Sequence, residues 1–257
     1  MRSKSAKKQK NNNRRKKIIK RRLFITLFML FTVGIITLCI LCYTKFFPIK
    51  KVTVKGNSLY ESREIVAVSG INTKTPILSV TEGKLNNRIL KKLPYIESVK
   101  LKKRFPDSVT VTVKETSDYY AFKTDNGYYT VSQNGRVLSE CAEPAEDLLL
   151  VKTESAQLDI CKQVEFKQNS EQQIFDVLSS LPDSLNVRVN EIDLTDKMHI
   201  SVIVDSRLTV NFGTSEYLEE KIRHLAGMIA EIGDRKGSIN LEMWSKSDSK
   251  GTFIAEN

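Results

Sequence analysis

Histidines are the side chains best suited to general-base catalysis and metal binding near neutral pH, and this chain of 257 residues has two. His199 lies in a segment that alternates like a strand, and His224 lies on a predicted helix. No His-Glu-x-x-His, Gly-x-Ser-x-Gly or phosphate-loop pattern occurs in the sequence. We therefore expect structural roles for both histidines and predict no catalytic residue, no metal and no cofactor.

Carboxylates are the second group that could do chemistry, because two of them can act as general acid and general base. Residues 116–257 contain 24 Asp and Glu side chains. Such a pair needs surroundings that shift its pKa values, and no spacing singles out a pair here. The sequence favours a solvated acidic surface over an active site.

Cysteines offer a weak redox or metal signal. Cys39 and Cys42 have Cys-x-x-Cys spacing but lie inside an apolar run, where neither chemistry is favoured. Cys141 and Cys161 lie outside this run, and the sequence leaves open whether they form a disulfide.

The apolar run at 23–43, LFITLFMLFTVGIITLCILCY, has no charged residue in 21 positions. As a helix it would be about 31 Å long, which matches a hydrocarbon core of about 30 Å. It is too long for the apolar core of a signal peptide, and no small-x-small cleavage site follows it. We predict an uncleaved transmembrane helix at 23–43.

Residues 1–22 hold twelve Lys or Arg and no acid. This excess predicts a cytoplasmic N-terminus and a translocated C-terminal part. The tail has no aromatic residue and no recognition motif, so we expect contact with lipid headgroups rather than nucleic acid.

The net charge of +11 hides two halves of opposite sign. Residues 45–115 hold 15 basic and 6 acidic residues, net +9, whereas residues 116–257 hold 14 basic and 24 acidic residues, net −10. This shift predicts a domain boundary near residue 115.

The first translocated segment, 46–115, has the element order β-α-α-β-β. Strands are predicted at 50–55, 96–103 and 109–113 from their alternating apolar residues. Ser62 is a candidate N-cap for the first helix, and Thr81 begins a second helix that Pro94 ends.

The second segment, 116–244, reads as a mixed β-rich domain. Its clearest element is a long helix at about 215–232, whose apolar residues recur every three or four positions. Among its strands we predict one at 158–161 and a final one at Ser238–Met243, which places Ile239, Leu241 and Met243 on one face. Residues 245–257 are predicted to be a flexible tail.

These patterns resemble the FtsQ/DivIB family of bacterial division proteins. Three motifs support this resemblance: V-x-V-x-G-N at the first strand, Leu93-Pro94-Tyr95-Ile96 after the second helix, and R-F-P-D-S-V-T-V-T-V-K-E from Arg104. The resemblance implies an α+β protein with a basic tail, a single span, a POTRA domain and a β domain. The family more often has Trp at the positions of Tyr95 and Phe105, and Asp in place of Asn240.

The same resemblance implies a non-enzymatic scaffold in the cell membrane at the division septum. Its implied partners are DivIC/FtsB-like and FtsL-like single-span proteins and septal peptidoglycan synthases. The alternative is a membrane-anchored cell-wall hydrolase or transferase with an undetected site, which an assay on peptidoglycan would distinguish.

Two surfaces are candidates for binding. By resemblance, partner binding falls on the final predicted strand and its end: Ser238, Ile239, Asn240, Leu241, Glu242, Met243 and Trp244. The residues alone suggest a basic surface for anionic headgroups or wall polymers: Lys91, Lys92, Lys100, Lys102, Lys103 and Arg104.

Overall fold

The computed structural model of the chain describes residues 22–41, 47–125, 127–244 and 251–256. Two compact units divide these residues. The first comprises 22–41, 47–55, 62–85 and 100–112, and the second comprises 56–61, 86–99 and the remainder from 113 onward.

Helix α1, Arg22–Leu41, is long and apolar enough to cross a membrane. Its 20 residues give about 30 Å of length, the thickness of a hydrocarbon core. The structure does not describe the predicted basic tail before Arg22. It also does not describe residues 42 and 43, the last two of the predicted span.

A three-stranded sheet with the order β1–β3–β2 follows the apolar helix. Its elements are β1 Lys51–Lys55, α2 Ser62–Ser69, a 3₁₀ turn Ile77–Ser79, α3 Glu82–Ile89, β2 Ile96–Arg104 and β3 Ser108–Glu115. Strands β1 and β3 are parallel, and Val52 and Val54 lie opposite the buried Val109 and Val111. Ile65 of α2 is also buried and α2 packs on β1, while Lys51, Lys55 and Thr112 are exposed on the opposite, open face of the sheet.

The larger sheet has nine strands in the order β14–β13–β12–β11–β10–β7–β4–β5–β6. Its strands are β4 Tyr120–Thr124, β5 Gly127–Val131, β6 Val137–Cys141, β7 Leu149–Lys152, β10 Val189–Asp193, β11 Ile200–Val204, β12 Leu208–Gly213, β13 Gly237–Asn240 and β14 Thr252–Ala255. The other elements are the short pair β8 Ala156–Gln157 and β9 Glu165–Phe166, with helices α4 Asn169–Ser179, α5 Leu181–Leu185 and α6 Leu218–Ile232.

This architecture confirms the predicted α+β class, with an apolar N-terminal helix, a β-α-α-β-β domain and a mixed β-rich domain with a long helix. Helix α6 connects β12 to the parallel strand β13, and its buried Leu225 packs in the hydrophobic core.

Three local predictions are wrong. Residues 158–161 are not a strand, and Cys161 lies in a turn with φ of 69°. The strand predicted at Ser238–Met243 ends at Asn240. The predicted flexible tail contains β14, which pairs antiparallel with β13.

Candidate interaction surfaces

Strand β13 is an inner strand and not the last strand of the domain, because β14 follows it and pairs with its free side. Toward β12, Gly237 N donates to Arg207 O at 3.1 Å and Leu241 N donates to Asn211 O at 2.8 Å. On its other side Ser238 lies opposite Ile254, and Asn240 opposite Thr252, of β14. Both backbone edges of β13 are therefore occupied within the protein.

The predicted partner-binding residues divide between two faces of the sheet. Ile239 and Leu241 are fully buried in the core, whereas Ser238 and Asn240 are half-buried on the opposite face. Ser238 and Asn240 are thus the members of β13 whose side chains remain accessible.

The remaining three predicted residues follow β13 in a turn. Met243 is 90% exposed, because the strand ends before it can join the buried face. The Trp244 ring packs against the hydrophobic core and lies 6.1 Å from the Tyr217 ring. Glu242 is exposed. Its backbone N–H is not free to bind an added strand, because it donates to Asn240 Oδ1 at 2.9 Å.

Strand β14 forms the edge of the nine-stranded sheet. Glu256 N donates to Lys236 O at 3.0 Å, and this bond identifies which residues of β14 hydrogen-bond to β13 and which do not. Since ladder bonds use every second residue of an antiparallel strand, the backbone groups of Ile254 face β13 and those of Phe253 and Ala255 face away. No described residue bonds these outward groups, which form a row of donors and acceptors of the kind that pairs with another strand.

A row of side chains crosses the solvent face beside this edge. Ile203, Thr209, Ser238 and Ile254 lie opposite one another on β11, β12, β13 and β14. They line a groove of about 320 Å³, and Ile254 is 62% exposed.

Close backbone packing holds β14 in place. Gly237 has φ of +156°, and a Cβ atom there would lie 2.2 Å from Ile254 O. The Phe253 ring packs against the core and lies under the Arg235 guanidinium, 5.2 Å from the ring centroid. A glycine at position 237 is therefore required for β14 to approach β13.

Lys221 of α6 is a buried cation that fixes the connection from β12 to α6. Its side chain is about 1% exposed, and Nζ donates to Phe212 O at 2.6 Å and to Thr214 O at 3.1 Å. Burial lowers the pKa of Lys221, an effect that Glu216 and Glu242 partly oppose. No pattern in the sequence indicates this role, because helical spacing does not distinguish a buried lysine from an exposed one.

Glu115 at the end of β3 organises the loop after β1. Its carboxylate accepts hydrogen bonds from Ser58 Oγ at 2.7 Å and from the backbone N–H groups of Ser58, Leu59 and Tyr60 at 2.8, 2.9 and 3.3 Å. Partial burial raises the pKa of Glu115, but these hydrogen bonds outweigh burial and hold the pKa below its ordinary value. The Gly-Asn-Ser turn is thus held by a carboxylate more than fifty positions away in sequence.

The Leu93-Pro94-Tyr95-Ile96 motif is joined to the hairpin after β5, inside the second compact unit. Arg136 donates from Nε to Pro94 O at 2.8 Å and also bonds Leu90 O. Tyr95 Oη bonds Asp118 Oδ1 at 3.2 Å and Ser139 Oγ at 3.1 Å. Sequence reasoning missed Arg136, because its partners are backbone carbonyls that no pattern identifies.

The predicted basic residues occupy different positions. Lys100, Lys102 and Arg104 are exposed and alternate on β2, while Lys103 is half-buried on the opposite side. Lys91 and Lys92 are exposed after α3 and belong to the second compact unit.

Cys141 and Cys161 are both free thiols. Cys161 N donates to Val137 O at 3.0 Å, and Cys141 stands four residues further along β6, about 13 Å from Val137. A disulfide needs Cα atoms within about 7 Å, so this fold does not allow the pair. Among the described residues, no group of three or more His, Cys, Asp or Glu side chains could hold a metal ion.

Comparison with known proteins identifies both folded regions. The model of the FtsQ-type POTRA domain matches residues 47–116, and the model of the FtsQ/DivIB C-terminal domain matches residues 121–242.

Several curated relatives carry the name cell division protein DivIB. That of Clostridium acetobutylicum is 24% identical over 212 residues, covering 80% of this chain and 83% of the relative. That of Clostridium botulinum is 25% identical over 203 residues, covering 77% of each chain, and that of Macrococcus caseolyticus is 26% identical over 206 residues, covering 78% of this chain and 65% of the relative. These matches confirm the resemblance that the sequence motifs carried. The chain belongs to the FtsQ/DivIB family of cell-division proteins.

Proposed function

We propose that this protein is a non-enzymatic division scaffold that binds a strand of a DivIC/FtsB-like partner along β14. An FtsL-like partner would join this complex, which helps to position septal peptidoglycan synthesis. The observation that carries the proposal is the edge position of β14 in the nine-stranded sheet. The partner classes come from the family resemblance.

The proposed orientation is a single span with a cytoplasmic N-terminus. The twelve basic residues before the apolar helix favour it, since cytoplasmic flanks carry the excess of Lys and Arg. Both folded domains would then lie outside the cell, at the septum, within reach of other single-span proteins.

The edge of β14 offers both affinity and selectivity to an added strand. The outward backbone groups of Phe253 and Ala255 would supply hydrogen bonds. On the solvent face, the exposed Ile254 and the groove beside it favour a partner residue with an apolar side chain. This placement moves the proposed contact from Ser238–Trp244 to Thr252–Ala255, with Ser238 retained as a groove residue.

Replacing Ala255 with proline tests this placement. Proline removes the outward N–H of Ala255, and an edge strand tolerates it because no ladder bond of β14 to β13 uses that group. We expect the Kd for the soluble extracytoplasmic segment of the DivIC-like partner to rise at least about tenfold, the effect of losing roughly 1.4 kcal/mol. Isothermal titration calorimetry would measure it.

Ala255→Ser is the matched control, because serine keeps both outward backbone groups and should bind like the parent protein. Thermal unfolding would verify that both variants are folded. Equal affinities for the proline and serine variants would place partner binding elsewhere.

A further inference from the structure

The open face of the three-stranded sheet carries a basic surface within the first compact unit. Lys51 and Lys55 are exposed at the two ends of β1, on the side opposite Val52 and Val54. Lys100, Lys102 and Arg104 are exposed on β2, on the side opposite the buried Val99. These five residues form the basic face of the sheet.

The two basic rows flank a central row of hydroxyl side chains. Strand β3 lies between β1 and β2, and its Ser108, Thr110 and Thr112 share the face of Lys51 and Lys55. With strands about 4.8 Å apart, the rows of cations lie roughly 10 Å from each other. Cations and hydroxyl donors at this spacing suit a surface of phosphate groups.

Three acids lie beside these strands and bind groups outside the basic face: Glu97 pairs with Lys114, Asp107 pairs with Lys50, and Glu82 accepts a hydrogen bond from Leu101 N at 2.9 Å. The segments 51–55, 100–104 and 108–112 contain no Asp or Glu. Among the described residues, none of the five cations forms an ion pair, and the nearby Asp107 pairs with Lys50 instead. The positive charge of the basic face is therefore presented to solvent.

Chain length keeps the start of the domain close to the bilayer. Six residue steps separate Leu41, the last described residue of α1, from Phe47, and they can span at most about 22 Å. A domain on so short a connection lies within a few Debye lengths of the headgroups at physiological salt.

We propose that the basic face docks on anionic phospholipid headgroups of the membrane that α1 spans. This inference rests on the proposed span but not on partner binding at β14. The short connection favours lipid over a wall polymer as the occupant. Each cation near an anionic leaflet contributes about a fivefold factor to binding, so five are sufficient to hold a domain that is already tethered.

Lysine footprinting of the full chain tests the proposal. The protein would be reconstituted in nanodiscs of phosphatidylcholine, with or without phosphatidylglycerol, and acetylated with an amine-reactive reagent. We expect acetylation of Lys51, Lys55, Lys100 and Lys102 to be at least about threefold slower with phosphatidylglycerol, and the difference to disappear at 1 M salt. Lys91 and Lys92 lie outside the basic face, and their acetylation reports any general effect of the lipid on the reaction.

A charge-reversed variant separates docking from a general effect of the lipid surface. Lys100→Glu with Lys102→Glu should abolish the protection of Lys51 and Lys55, which lie on another strand of the same face. Lys91→Glu with Lys92→Glu makes the same change in net charge and should leave that protection intact.

Three results would overturn the proposal. The first is equal acetylation of the basic face in both lipids. The second is protection of Lys51 and Lys55 that survives the charge reversal at Lys100 and Lys102. The third is protection that requires soluble polyglycerol phosphate in place of anionic lipid. The last result would assign the face to a wall polymer. A chain that does not co-purify with the nanodisc would instead refute the span.

Discussion

At the scale of single residues, Glu115 stabilises the loop after β1 through four hydrogen bonds from 58–60. Glu115→Gln removes the charge that strengthens these bonds, so we expect the free energy of unfolding to fall by about 2 kcal/mol at pH 7. Folding lowers the pKa of Glu115, so its carboxylate stabilises the folded state fully at pH values above the ordinary glutamate pKa of about 4.3. This contribution to the free energy of unfolding is lost as the pH falls through the pKa of the folded state.

Urea unfolding at pH 7 and at pH 3 would measure this difference. Glu143→Gln is the matched control, because Glu143 is an exposed acid for which no hydrogen bond or ion pair is described. A Glu115→Gln variant as stable as the Glu143→Gln variant at pH 7 would contradict the role given to the carboxylate.

At the scale of secondary-structure elements, the position of β14 depends on Gly237. A Cβ atom there would lie 2.2 Å from Ile254 O and 2.8 Å from Phe253 Cε2. Gly237→Ala should therefore push β14 away from β13 and lower the free energy of unfolding by about 1–3 kcal/mol. Urea unfolding and faster amide exchange in residues 252–255 would report both effects.

Gly227→Ala controls for the added methyl group. Gly227 lies in α6, where a Cβ atom meets nothing within 4 Å, and alanine should be neutral or stabilising in a helix. If Gly237→Ala is as stable as Gly227→Ala and keeps slow exchange in β14, the proposed packing is wrong.

The elements that the sequence predicted have long regular patterns. Alternation from Val109 to Val113 identifies β3, and apolar residues such as Leu218 and Leu225 identify α6. Strand β14 has four residues in a polar segment, and the register with β13 that stabilises it is set by tertiary packing. The final strand was consequently predicted one strand too early, because local alternation does not reveal a short strand that depends on its partner.

At the scale of the whole molecule, charge and order of domains were predictable while the contacts between distant residues were not. The basic stretch 45–115 and the acidic stretch 116–257 follow from counting, and the family motifs gave the order of helix, POTRA domain and β domain. Contacts such as Arg136 with the carbonyl of Pro94 join residues more than forty positions apart. They depend on backbone groups whose positions only the fold defines.

The central claim is that a partner strand adds to β14, and amide exchange on the intact edge tests it most directly. Exchange would be followed residue by residue by NMR, with and without a saturating soluble segment of the DivIC-like partner. We predict that the N–H groups of Phe253 and Ala255 exchange at least about tenfold more slowly in the complex, while Ile254, already bonded to β13, changes little. A complex that forms without slowing exchange at Phe253 and Ala255 would contradict the account.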